Sequence, residues 1–131
     1  VKGFRLQKGA IATTIAHDSH TIICIGKNDE DMDIAIRELE KIGGGISIAC
    51  NGETIASLSL PVAGLMTTIS PEQLNDQYNQ LLIALSSLGI TDEFSPLLTL
   101  SFLALPVIPS LKLTNQGLFD VDTFTFVEVS V

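Results

Sequence analysis

The stretch that most constrains this fold is GISIACNGETIASLSL, residues 45–60, in which two alternating segments flank Asn51 and Gly52. Asn-Gly is a dipeptide that accepts the positive φ angles of a two-residue hairpin turn. Because side chains along a strand alternate between two faces, each segment can turn one face toward a core. The sequence therefore predicts an antiparallel hairpin here, within a larger sheet.

Two helices are predicted on either side of this hairpin. The first starts at Asn28 or Asp29, in the acidic stretch NDEDMD, and ends at the glycines Gly43 to Gly45. The second opens at Ser70 on SPEQ, which supplies an N-cap serine, a proline at the first helical position and a capping-box glutamine, and it ends at Gly89. Their apolar stripes are Met32, Ala35, Ile36, Leu39 and Ile42 in the first helix, and Leu74, Tyr78, Leu81, Leu85 and Leu88 in the second.

Further strands are expected outside the hairpin. Thr21–Ile25 is β-branched and almost wholly apolar, which is typical of a strand covered on both faces. The run from Leu97 to Pro109 begins as a buried strand and is broken by Pro106 and Pro109, which cannot supply ladder donors. The C-terminal FTFVEVSV alternates and predicts a last strand with one buried face.

The resulting order is strand, strand, helix, hairpin, helix, strand, strand. It predicts an α+β (layered α/β) fold in which two main helices pack on a single mixed β-sheet. With 131 residues, the chain is expected to form one domain, residues 1–131, and to bury roughly two thirds of the surface that its unfolded form exposes.

Composition excludes several classes of partner. Fifteen acidic and seven basic residues give a net charge of −8, so neither nucleic acid nor an anionic membrane is expected as a partner. No apolar run approaches the roughly 20 residues of a membrane-spanning helix. Cys24 and Cys50 lie far apart in apolar segments, which favours free buried thiols over a zinc site. With no secretory signal in view, a reducing, cytoplasmic compartment is expected.

The main candidate for chemistry is AHDSH, which contains both histidines of the chain. If Asp18 and Ser19 form a two-residue turn, His17 and His20 become cross-strand neighbours whose side chains share one face. Two imidazoles are too few for a catalytic metal site, which usually has about three protein ligands. Ser19 lacks the strand-turn-helix setting of an activated nucleophile. The alternative is a structural turn whose polar side chains only bond the local backbone.

Two weaker candidates have simpler interpretations. Gly43 to Gly45 follow a helix instead of opening one, which favours a helix C-cap over a phosphate-binding loop. Ser101 lies within the apolar run LSFLALPVIP and could be presented at an interface, but a core strand followed by a proline exit is favoured.

Four long stretches then resemble consecutive signature segments of one family, the C-terminal domain of bacterial adenine deaminases. They are KGFRLQKGAIATTIAHDSHTII, GKNDEDMDIAIRELEKIGGGI, LSLPVAGLMT and LTLSFLALPVIPSLKLTNQGLFDV, and together they span nearly the whole chain. The chain starts at Val1 without an initiator methionine, so we expect it to be a piece of a longer protein.

The resemblance implies a parent enzyme of the amidohydrolase superfamily that hydrolyses adenine to hypoxanthine and ammonia. Its binuclear site of divalent manganese or iron would lie in a (β/α)₈ barrel upstream of Val1, so no cofactor and no catalytic residue is expected in this chain. The domain's partners would be its own barrel and, through the parent, adenine. The resemblance favours a role for His17, Asp18, Ser19 and His20, with Ser101 as a further candidate, at a substrate pocket or barrel interface. Because the barrel is absent, the cluster should be exposed.

Two other hypotheses stay open at this point. The chain could be an independent small-ligand-binding or regulatory module that uses the His17 to His20 turn as a pocket. The near-continuous apolar stretch from Leu97 to Ile108 also predicts an exposed patch and self-association as a homo-oligomer.

Overall fold

The computed structural model describes residues 4–17, 20–90 and 95–129. Seven strands and three helices lie in these ranges. The strands are β1 (Ala10–Thr13), β2 (Ile23–Gly26), β3 (Gly45–Cys50), β4 (Glu53–Ser59), β5 (Leu111–Thr114), β6 (Gly117–Asp120) and β7 (Thr125–Val127). The helices are α1 (Asp29–Ile42), α2 (Pro71–Ser87) and α3 (Pro96–Ser101).

The first sheet contains four strands in the order β2-β1-β3-β4, and every neighbouring pair is antiparallel. Strands β1 and β3 are central, and all of their residues are buried. Helix α1 connects β2 to β3, and β1 lies between these two strands. The crossover therefore skips one position in the sheet.

The two faces of this sheet carry side chains of different size. Large aliphatic side chains of the sheet point to the face that α2 and α3 cover; they include Ile11, Ile46, Ile48 and Leu58. In the larger core cluster they join Leu81, Leu85, Leu88 and Leu100 from the helical side. The opposite face is lined by small residues, namely Ala10, Ala12 and Ala49, which pack with Ala35 and Leu39 of α1. A side chain at Gly26 would collide with Met32, so the small residues allow α1 to lie close to the sheet.

The hairpin and both main helices are confirmed. Asn51 and Gly52 have φ angles of 56° and 79° in the turn between β3 and β4. Asn28 caps α1, and Gly43 adopts the left-handed conformation at its end, so the C-cap interpretation of the glycines is correct. Helix α2 has the predicted capping box at Ser70.

A buried carboxylate joins the first helix to the hairpin. One oxygen of Asp31 accepts a hydrogen bond from the Gly52 N–H at 2.9 Å, and the other accepts one from Asn28 Nδ2 at 2.8 Å. These bonds, led by the one from Gly52, hold the pKa of Asp31 below its usual value. The N-terminus of α1 and the hairpin turn are thereby fixed to each other.

The α+β class is confirmed, but the single mixed sheet is corrected to two antiparallel sheets of four and three strands. A strand-helix-strand connection such as β2-α1-β3 can join parallel neighbours, but here β1 fills the position between the two strands. Strand β2 is also an edge strand, with only Ile23 buried, so the prediction of a strand covered on both faces at Thr21–Ile25 is wrong.

The prediction of a buried strand from Leu97 is wrong as well, because this run opens with α3 and continues in turns. Ser95 and Pro96 start the helix, in which Leu100 is fully buried while Leu98 is 56% exposed. In a nearly continuous apolar run, the helical spacing of the buried positions is hidden from sequence inspection.

The second sheet, β5-β6-β7, is antiparallel and includes a hairpin that was not predicted. The predicted last strand is present as β7, but its expected buried face is not, because Phe126 is 55% exposed. Phe119 and Lys112 are the buried residues of this sheet within the described ranges. The sheet is therefore only weakly covered.

Both cysteines are free, as predicted. Cys50 is buried, and Cys24 is half-buried, with its pKa raised to about 11 by burial. In the described part of the chain, no helix combines the length and the apolar character needed to cross a bilayer.

Candidate functional site

The candidate cluster lies in the loop between β1 and β2, whose first half is fixed by threonines. The Thr14 hydroxyl donates to the Gly64 carbonyl at 2.6 Å and accepts from the Gly45 N–H at 2.8 Å. The Thr13 hydroxyl accepts from the Ile15 N–H at 3.0 Å. Ala16 is buried, so both the threonine hydrogen bonds and packing fix the backbone that leads to His17.

His17 is held by the end of α3 while remaining exposed to solvent. Its N–H donates to the Ser101 carbonyl at 3.0 Å. Its ring stacks on Phe102, with the ring centroids 4.2 Å apart and the planes inclined by 26°. An imidazole fixed in this way keeps its polar edge free to donate or accept a hydrogen bond.

Ser101 meets the cluster through its backbone and not through its hydroxyl. The residue is buried, and its Oγ donates to the Leu98 carbonyl at 2.7 Å within the helix. It therefore helps to position His17. The hydroxyl is directed into its own helix.

The other members of the cluster are placed only in part. Asp18 and Ser19, and with them the proposed two-residue turn, lie outside the described residues. His20 is exposed and has a φ angle of 44°. The paired register ends at Thr13 and Ile23, so within the described ranges neither histidine is a ladder partner of the other. The expected exposure holds for both histidines.

Beside His17 lies a groove that sequence analysis missed. Its cavity has a volume of about 460 Å³. We call it the aromatic groove; its principal lining residues are His17, Pro106, Val107, Phe119, Phe124 and Phe126. Phe119 contacts Phe124 and Phe126 edge-on, with centroid distances of 5.2 Å in both pairs. The polar side chains of Thr114, Asn115 and Gln116 complete the wall.

The signal for this groove was present in the sequence. Three of the six phenylalanines fall within residues 119–126. The alternation that begins at Phe124 was interpreted as a last strand with one buried face. Phe102, which positions His17, was missed because its segment was assigned to a strand.

The donor set of the described residues does not fit a bound metal ion. Among residues 4–17, 20–90 and 95–129, no group of three or more His, Cys, Asp or Glu side chains is arranged to hold one. Asp18 falls outside these ranges.

Comparison with known proteins identifies the family. Residues 1–125 match a protein family described as "Adenine deaminase C-terminal domain". The chain belongs to this adenine deaminase C-terminal domain family. The resemblance noted in the sequence is thereby confirmed.

Several relatives of this adenine deaminase C-terminal domain match all or nearly all of its length. An adenine deaminase of Halalkalibacterium halodurans is 53% identical over 131 residues, which cover 100% of this chain and 22% of that protein. The adenine deaminase of Bacillus subtilis is 54% identical over 129 residues, or 98% of this chain and 22% of that protein. "Adenine deaminase 2" of Carboxydothermus hydrogenoformans is 45% identical over 131 residues. The domain thus spans about a fifth of the length of these relatives.

Proposed function

We propose that this chain is the accessory C-terminal domain of an adenine deaminase, and that the longer polypeptide hydrolyses adenine to hypoxanthine and ammonia. The observation that carries the proposal is the match of the whole chain, at 53% identity, to about a fifth of a protein named adenine deaminase. Its natural partner is then the rest of the same polypeptide. The free state of Cys24 and Cys50 suits a reducing compartment, and we place the protein in the cytoplasm.

In the overall reaction, water supplies the oxygen that appears at C6 of hypoxanthine, and the exocyclic nitrogen of adenine leaves as ammonia. We assign this chemistry, with its divalent manganese or iron, to a barrel in the longer polypeptide. This domain then contributes packing and part of the pocket wall. We expect the 131-residue chain alone to be inactive.

We further propose that His17, Asp18 and His20 border the purine pocket without binding metal. The supporting geometry is that of His17, whose backbone bonds Ser101 and whose ring rests on Phe102 while remaining exposed. A neutral purine offers ring nitrogens and a flat face, and an imidazole can bond the former or stack on the latter near neutral pH.

Kinetics of the longer polypeptide test this role. His17→Ala and His20→Ala should each lower kcat/KM roughly two- to tenfold, the effect of losing one net hydrogen bond of about 0.5–1.5 kcal/mol. Metal content and Tm should remain near those of the unsubstituted protein. Gln80→Ala, in the exposed part of α2, is the matched control and should leave kcat/KM, metal content and Tm unchanged. Loss of metal would make the histidines ligands, and unchanged kinetics with a lower Tm would make the cluster a structural turn.

Ammonia release tests where the chemistry lies. The 131-residue chain, supplied with divalent manganese and adenine, should release no ammonia, whereas the longer polypeptide should. Turnover by the 131-residue chain would contradict the accessory role, and inactivity of the longer polypeptide toward adenine would contradict the proposed reaction.

A further inference from the structure

We propose that the aromatic groove is the surface on which this domain docks against the rest of the longer polypeptide. Its occupant would be an apolar segment flanked by basic residues. The proposal rests on the proposed function, because it requires the longer polypeptide, but it concerns which face makes the contact and with what chemistry.

The first argument is exposure. In the aromatic groove Phe124 is 76% exposed, Val107 69% and Phe126 55%, so three large apolar side chains meet solvent around one concave surface. Contiguous exposed apolar surfaces of this kind usually mark interaction sites. A partner that fills the groove would cover all three.

The second argument is the weak attachment of the second sheet. Within the described ranges, no Cα atom of β5, β6 or β7 lies within 8 Å of a Cα atom in any helix or strand outside this sheet. Backbone hydrogen bonds from Leu113 to Leu103 and from Val121 to Ser110 connect it to the segment after α3. A three-stranded sheet needs a covered apolar face to be stable, and docking would supply that cover.

Charge favours a partner other than a second copy. Two copies would each bring a net charge of −8 to the contact, which opposes association. Residues 95–129 contain three carboxylates, Asp120, Asp122 and Glu128, against one basic residue, Lys112, which is buried. A complementary segment would therefore carry lysine or arginine beside its apolar side chains.

Covalent linkage favours the rest of the polypeptide over a separate protein. The Halalkalibacterium and Bacillus relatives each devote 22% of their length to this domain, so it occurs there together with a much larger remainder. A partner on the same chain is present at an effective concentration in the millimolar range, so a modest groove is sufficient for docking.

Continuity with the candidate site selects the groove over a second apolar surface. The other surface, on α2 and β4, includes Ile55 and Ile83, of which Ile83 is 72% exposed. His17 lines the aromatic groove but not this surface. If His17 faces the purine pocket, the groove beside it faces the same way.

Cysteine labelling can test the assignment in the intact protein. Phe124→Cys and Ile83→Cys place a thiol on each of the two surfaces, at sites of nearly equal exposure. The two native thiols of this domain give a low background, because Cys50 is buried and Cys24 has a pKa of about 11 and is scarcely ionised at neutral pH. The unsubstituted form of each protein is labelled in parallel, and its rate is subtracted. Labelling rates with a maleimide are compared between the 131-residue chain and the longer polypeptide. Far-UV circular dichroism verifies that each variant is folded.

We expect Phe124→Cys to react rapidly in the 131-residue chain and at least about tenfold more slowly in the longer polypeptide, where labelling requires the interface to open. Ile83→Cys should react equally in both. Equal labelling of Phe124→Cys in both proteins, or protection of Ile83→Cys instead, would overturn the assignment. Protection of Phe124→Cys in the 131-residue chain would also overturn it: a dependence on protein concentration would indicate a second copy, and a dependence on added adenine would indicate a small-ligand site. Adenine turnover, measured separately, shows whether the proposed function itself has failed.

Discussion

The two sheets of this domain differ in how far their apolar side chains are buried. In the first sheet, helices cover both faces, and the central strands β1 and β3 have no exposed residue. In the second sheet every strand is shorter than β3, and Leu111, Leu113 and Phe126 are about half exposed. One sheet has a core on each side, and the other has a single buried phenylalanine, Phe119, between two exposed ones.

The difference separates the part that folds the domain from the part that is available for contact. Apolar burial stabilises a fold by about 25 cal/mol per Å², so a sheet covered on both faces accounts for most of the stability. A sheet that leaves its apolar side chains in water gains little from them in isolation. The second sheet therefore has the properties expected of a surface completed by a partner.

The largest expected effect is in the first sheet's core. Leu81 of α2 is fully buried, so Leu81→Ala should lower the free energy of unfolding by about 2–5 kcal/mol through lost transfer energy and a residual cavity. Urea denaturation of the 131-residue chain measures this directly. Leu82→Ala, its half-exposed neighbour, is the matched control. Similar costs for the two would contradict the placement of the main core under α2.

A smaller effect is expected where α1 meets the hairpin. Asp31→Asn removes the charge that accepts from the Gly52 N–H, and should cost roughly 1–3 kcal/mol at neutral pH. Because the folded pKa of Asp31 is lowered, its contribution is complete above the unfolded value of about 3.9 and is lost as pH falls through the folded pKa.

The measurement is the urea midpoint as a function of pH. In the unsubstituted chain, stability should fall below about pH 4, and Asp31→Asn should flatten this part of the profile. Asp29→Asn, in the exposed first turn of the same helix, should leave it largely in place. An unchanged slope in Asp31→Asn would assign the acid sensitivity to other carboxylates.

The first half of the fold was predictable because its signals are local. Asn28 and Ser70 each accept a hydrogen bond from a backbone N–H a few residues on, and the Asn51-Gly52 pair adopts the positive φ angles of the turn. The sequence therefore contains both the element and its boundary. The position of β1 between β2 and β3 depends on pairing between strands that are distant in the sequence, and no local pattern encodes it. This is why a mixed sheet was predicted, whereas all neighbouring strands of the first sheet are antiparallel.

The candidate site shows the same division. Sequence analysis selected His17, and the structure shows that it is exposed and held by Ser101 and Phe102. These contacts depend on α3, which an almost unbroken apolar run concealed. The roles of Asp18 and Ser19 remain predictions, as they lie outside the described residues.

A third substitution tests whether the two sheets are energetically separate. Phe119→Ala should open the second sheet, because Phe119 is the buried ring that Phe124 and Phe126 contact. The global free energy of unfolding should change by less than about 1 kcal/mol, since local units can open without the main core. Hydrogen exchange should accelerate in β5, β6 and β7 and stay unchanged in β1 and β3. Faster exchange in both sheets would show that they form one cooperative unit.

The smallest expected effect in the 131-residue chain is that of Phe124→Ser. Phe124 is 76% exposed, so replacing it should change the free energy of unfolding by no more than about 0.5 kcal/mol. In the longer polypeptide the docking proposal places the same ring under a partner, and the substitution should then cost about 1.5–3 kcal/mol, the value of one fully buried aromatic side chain. Ile83→Ser, at 72% exposure, should be nearly silent in both proteins. Urea denaturation of the two substitutions in both proteins measures these changes. If the rest of the polypeptide covers the Phe124 ring, the loss of unfolding free energy in Phe124→Ser is larger in the longer polypeptide. If the ring stays in water, the loss is the same in both proteins.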